Sequence, residues 1–184
     1  MLASGSMDTT AKLWDVNSGL EIASLNEHCG EIISLSFNYQ GDRLLTCSFD
    51  HTLSIWFATS GKRDMTLIGH SAEISGGRFN YKGDLVISGS MDGTMRLWST
   101  DSGAAIAVFR QFEDEVLDVG FNLTGTLVAG CTANGQVKMF NVNTKREVGD
   151  MVGHNDDEIS RVVFSPSGNR ILTASADKTA RYKY

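Results

Sequence analysis

His70, Ser88 and Asp92 put an imidazole, a hydroxyl and a carboxylate in one short stretch. In a hydrolase these would be base, nucleophile and orienting acid. The same trio recurs as His28, Thr46 and Asp50, and again as His154, Thr173 and Asp177. Trp56 and Trp98 follow the first two aspartates at equal distance. A catalytic set is built once, whereas this one returns every 42 residues, so the repeat predicts scaffolding. An Asp at a tight turn can accept from an imidazole N–H. The imidazole can accept from the hydroxyl, and the hydroxyl from the indole N–H, at about 1 kcal/mol net for each bond. Such members are coupled, and a half-satisfied set costs more than none. One copy carries Phe112, Gly130, Asn134 and Phe140 at the four positions. Joint loss of all four is what a hydrogen-bonded network predicts.

Other chemistry finds little support in the sequence. The histidines open different copies and lack close-spaced partners, which makes them poor metal ligands. Asp156-Asp157-Glu158 is an acidic run without the ligand spacing of a Ca²⁺ loop and reads as a solvated turn. Gly-rich phosphate loops are absent. No cofactor is expected, and no enzymatic activity. The 184 residues carry 16 basic and 22 acidic side chains, a net charge of −6, which argues against a nucleic-acid phosphate binder. No apolar run approaches the ~18 residues of a membrane span, and the N-terminus lacks a secretory pattern, so membrane insertion is not expected. Cys29, Cys47 and Cys131 show no C-x-x-C spacing. An odd count without a leader reads as reduced thiols in a cytosolic compartment.

The elements that must position these residues follow from the period. Asp8, Asp50, Asp92, Asn134 and Asp177 are spaced by 42, 42, 42 and 43 residues, and Trp14, Trp56, Trp98 and Phe140 by 42 each. Short β-rich runs alternate with turn signals, giving four strands in each whole copy and no sustained helical periodicity. The expected class is all-β. The units are a partial one at 1–25, three whole ones near 28–68, 70–110 and 112–152, and a partial one at 154–184. A unit split at each end predicts part of a larger propeller of seven or eight blades, a four-blade closure being the lesser alternative. The end RYKY does not fit a blade strand, with Tyr182 where an aliphatic belongs and Lys183 in the place of Trp.

A period near 42 with Gly-His and Trp landmarks resembles the WD-repeat family of four-stranded propeller blades, over the whole chain. The stretches GSMDTTAKLWD (5–15), EIISLSFN with GDRLLT and SFDHT (31–52), GHSAEIS (69–75) and SADKTAR (175–181) resemble more closely the WD-repeat dynein assembly factors of motile cilia. That likeness implies a non-catalytic adaptor in the cytoplasm and at the cilium or flagellum and its basal body. Its implied partners are outer-arm dynein and intraflagellar transport subunits. Asn26-Glu27-His28 departs from the pattern by lacking Gly before His. A substrate receptor of a ubiquitin ligase is the alternative. Such receptors often carry Arg two residues after the Trp-Asp pair, where this chain has Asn17, Thr59 and Asp101.

A second recurring feature bears on partners. Glu31, Glu73, Glu115 and Glu158 open the first strand of successive units, and Met7, Phe49 and Met91 precede the turn aspartate. The plainer reading is a capped strand start and local packing. The functional reading is an acidic rim with soft apolar anchors, a protein-docking face suited to a basic partner.

Overall fold

In the computed structural model the described residues are 1–151, 153, 154 and 157–183, the Lys183 side chain excepted. Turn chemistry sets the strand spacing. Gly41, Gly83, Gly125 and Gly168 each take a positive φ of 69–79° in the turn between the first two strands of a unit. An L side chain resists that geometry and Gly does not. An amide reinforces three of these turns: Asn80 Oδ1 accepts the N–H of Gly83 (2.9 Å) and of Leu85 (3.1 Å), with equivalents at Asn38 and Asn122.

The strands between these turns form five antiparallel sheets. The first holds β1 (Leu2–Gly5), β2 (Ala11–Trp14) and β3 (Glu21–Leu25). The second holds β4 (Ile32–Phe37), β5 (Arg43–Ser48), β6 (Thr52–Phe57) and β7 (Arg63–Ile68). The third holds β8 (Ile74–Phe79), β9 (Leu85–Ser90), β10 (Met95–Ser99) and β11 (Ala105–Phe109). The fourth holds β12 (Val116–Phe121), β13 (Leu127–Thr132), β14 (Val137–Asn141) and β15 (Glu147–Met151). The fifth holds β16 (Ile159–Phe164), β17 (Ile171–Ser175) and β18 (Ala180–Lys183). Strands pair in sequence order, as in a meander. No helix among the described residues is long and apolar enough to cross a membrane.

The sheets stack as blades around their first strands. β4, β8, β12 and β16 pack side by side, and β1 packs on β4. Each junction has its own buried core. Leu13, Leu44 and Trp56 fill the first, and Leu45, Ile55, Ile74 and Trp98 the second. Leu97, Phe109, Phe112 and Phe140 fill the third, and Cys131, Ile159 and Ile171 the fourth. Blades covered on both faces explain why β5, β9 and β13 are buried almost end to end rather than on alternate residues. The five blades form an open arc.

Bulges recur in register. The ladder shifts between Ile32 and Ser34, Ile74 and Gly76, Val116 and Asp118, and Ile159 and Arg161. Bulges at the same step of each innermost strand give the arc a repeated local twist.

One expectation is overturned. Of the end RYKY, residues 181–183 belong to an ordinary third strand, and Tyr184 lies outside the described residues: Thr173 pairs with Arg181 and Leu172 with Tyr182, as Thr46 pairs with Ser54 and Leu45 with Ile55. Backbone pairing tolerates the change because register is set by the ladder and turn, and Asp177 builds that turn. The altered side chain shows in burial instead: Ile55 is fully buried, whereas Tyr182 is exposed, with Arg170 over its ring.

Candidate functional site

The landmark residues meet within each sheet. In the second, His28 Nδ1 lies 2.8 Å from Asp50 Oδ2 and Nε2 lies 2.7 Å from Thr46 Oγ1, while the Trp56 indole N–H donates to Thr46 Oγ1 at 2.9 Å. In the third, His70 lies 2.9 Å from Asp92 and 2.8 Å from Ser88, and Trp98 donates to Ser88 at 2.8 Å. In the fifth, His154 lies 2.8 Å from Asp177 and 2.7 Å from Thr173. The carboxylates also close their own turns: Asp92 accepts from the Ser71 and Thr94 N–H groups and from the Thr94 hydroxyl. At His70, an Nδ1–H donating to Asp92 and an Nε2 accepting from Ser88 describe a neutral imidazole. Burial lowers the His70 pKa, in keeping with that state. Burial opposes the charge of Asp92. The Thr94 hydroxyl, the Ser71 N–H and His70 overcome it and hold the carboxyl at about 2. Asp50 is lowered against burial by the same set from Thr52, Cys29 and His28.

The distances at His70, Ser88 and Asp92 would suit a nucleophilic triad, but the surroundings do not. Ser88 is 0 % exposed and its oxygen already receives the Trp98 indole. No substrate reaches it. In the first sheet Trp14 donates to Ser4 at 2.9 Å, and Asp8 accepts from Thr10. In the fourth sheet the relay is replaced by rings. Phe112 packs on Phe140 with centroids 5.9 Å apart, and Phe109 on Phe140 at 4.5 Å. Gly130 makes the room, since a Cβ there would lie 3.0 Å from Phe112 Cζ.

The missing Gly before His28 has a local cause. A Cβ at Gly69 would lie 2.6 Å from Arg96 Nη1 and 3.2 Å from the Trp98 ring. The residue matching Arg96 in the second sheet is Ser54, which leaves space for Glu27. Glu27 instead pairs with Arg63 at 2.6 Å.

The rim residues lie where the innermost strands begin. The carbonyls of Glu31, Glu73, Glu115 and Glu158 accept the N–H of Phe49, Met91, Ala133 and Ala176 at 2.9–3.1 Å. This bond fastens each strand start to the turn bearing the landmark Asp or Asn. Glu31 and Glu73 are half-buried, Glu115 and Glu158 exposed, and none makes an ion pair among the described residues. Met7 is 77 % exposed, while Phe49 and Met91 are half-buried. Between the third and fourth sheets Met91 and Asp92 share a cleft with Arg110, Phe112, Glu113, Asp114 and Glu115. The acidic run Glu113–Glu115 signals this cleft in the sequence, and the degenerate copy masks it. Asp156 lies outside the described residues, and Asp157 and Glu158 are exposed. No cluster of three or more His, Cys, Asp or Glu among the described residues is placed to hold a metal ion. All three cysteines are free thiols. Burial pushes the Cys47 thiol up to about 12.

Comparison with protein families gives a match to the WD domain, G-beta repeat, over residues 1–15, 19–56, 61–99 and 145–182. No curated protein matches the chain. The unmatched residues 100–144 include the copy in which rings replace the relay. With well over half of its residues matched and blades of the corresponding build, the chain belongs to the WD-repeat family.

Proposed function

We propose that this chain is a non-catalytic interaction scaffold whose rim of Glu31, Glu73, Glu115 and Glu158 docks a basic partner protein. One observation carries the reading: four glutamates hold the same register position in successive blades, and none of them makes an ion pair among the described residues. Met7, Phe49 and Met91 border them and supply polarizable apolar contact. A partner reading such a row would be steered by charge and anchored by the apolar side chains. The finer assignment is an adaptor linking preassembled outer-arm dynein to intraflagellar transport trains. It rests on the likeness of residues 5–15, 31–52, 69–75 and 175–181 to ciliary dynein assembly factors.

Two experiments separate the levels. Exchanging Glu31, Glu73 and Glu115 together for Lys weakens partner binding by about tenfold or more and leaves the thermal midpoint near its original value, as expected of rim charges. Unchanged affinity would remove the acidic rim as the docking face. Affinity capture from ciliated cells returns dynein and transport-train subunits if the adaptor reading holds. Ligase subunits in their place overturn it.

A further inference from the structure

The opposite ends of the innermost strands carry a surface of different character. β8 runs from the Glu73 side to the Asn80 turn, so its six residues hold the two faces roughly 20 Å apart. On the far face the four matching turns present Tyr39, Tyr81, Leu123 and Pro166. Tyr39, Tyr81 and Leu123 are 70 %, 47 % and 55 % exposed, and the two tyrosine rings lie 4.2 Å apart. Where a soluble surface would place polar groups, these turns put large apolar ones in a row.

Beside that row a cleft opens among the third, fourth and fifth blades, with Arg78, Tyr81, Asp118, Leu123, Arg161 and Phe164 in its walls. Its charges run against the molecule's net −6. Asp118 is buried and already accepts the Val162 N–H at 3.1 Å, with Arg78 3.7 Å away. Arg78 also reaches Ser34 of the second blade at 3.5 Å. Arg161 is exposed and donates only to the carbonyl of its neighbour Ser160, and no carboxylate pairs with it among the described residues. The cleft thus holds two guanidiniums against one engaged carboxylate, beside an aromatic and aliphatic wall. A guanidinium with free N–H donors matches a carboxylate in two-point geometry.

We propose that this cleft seats an acidic segment of a second protein, with a carboxylate on Arg161 and Arg78 and an adjoining apolar side chain against Tyr81 and Leu123. The chain then has two docking faces of opposite sign, the acidic rim for a basic partner and this cleft for an acidic one. The inference does not depend on the rim.

The test uses two fluorescein-labelled hexapeptides, glutamate or lysine alternating with leucine and phenylalanine, titrated against the whole chain by anisotropy. The glutamate peptide binds and the lysine peptide does not bind at this cleft. Arg161→Glu weakens the glutamate peptide by about tenfold or more, Arg161→Gln by less, and Tyr81→Ala by several-fold. Glu73→Lys, on the other face, leaves that affinity unaltered. Thermal midpoints of the variants exclude unfolding, and Arg161→Gln retains the test if Arg161→Glu fails to fold. Failure of the glutamate peptide to bind, or binding indifferent to both Arg161 variants, overturns the proposal. So does glutamate-peptide binding that tracks Glu73 instead.

Discussion

The third and fourth blades share one backbone and solve the same problem in two ways. In the third, His70, Ser88, Asp92 and Trp98 join the strand starts to the turn through a buried polar chain. In the fourth, Phe112, Gly130 and Phe140 fill the same space with rings, and the turn is tied by Thr132, whose hydroxyl lies 2.6 Å from Asn134 Oδ1 and accepts the Gln136 N–H at 3.0 Å. The ladders run in the same register in both. The blade is therefore not made by the relay. The relay is one way to fill a socket that strand pairing and neighbouring blades already define. Exchanging the whole polar set for apolar packing removes its members together, and only Gln136 Oε1 at the turn is left buried without a partner among the described residues, whereas removing one member strands the others.

That comparison can be broken or sharpened in three ways. The largest effect is expected from Phe112→Ala, which empties the apolar socket and costs about 3–5 kcal/mol in chemical denaturation. A cost below that of a relay truncation would mean the rings are not a true substitute. Next, Asp92→Ala leaves His70, Ser71 and Thr94 without their acceptor and lowers stability by about 1–3 kcal/mol. A neutral result would show that the relay contributes nothing that the turn does not. The smallest difference is in acid. Folding lowers the pKa of His70 and of Asp50, Asp92 and Asp177, so each binds fewer protons folded than unfolded. Stability from these groups is complete above the unfolded imidazole value of about 6.5. It declines below that pH as unfolded His70 protonates, and again below about pH 4 as the aspartates do. The fourth blade has no such groups in its socket. Between pH 7 and 5, hydrogen-exchange protection, corrected for the intrinsic rate at each pH, should therefore fall more in β9 than in β13. Equal change in both would show that the arc opens as one unit.

Much of the fold was legible before any coordinates. The 42-residue period placed the strands, because Asp and Gly turns and apolar runs are local signals. The pairing of histidine, hydroxyl and tryptophan was legible for a related reason: the members recur together and vanish together. What the sequence hid was contact between blades. Nothing local marks Asp118 as the acceptor of Val162 N–H, since the two lie in different sheets. Glu27 in place of Gly looked like a defect because Ser54, whose small size permits it, is distant in the chain. Tyr182 departs from the aliphatic pattern without breaking the strand, because ladder and turn set the register and its ring stays exposed. Arg78 and Arg161 carry no repeating signature, so a search for recurrence passes over them.

The bulge shared by all four innermost strands has a further consequence. It returns the ladder to register just where Ser34, Gly76, Asp118 and Arg161 stand. A hydroxyl, a hydrogen, an acid and a base thus occupy matching addresses while the strands around them stay aligned. Side-chain chemistry at that step of the inner wall thus differs from blade to blade while the ladder keeps its register.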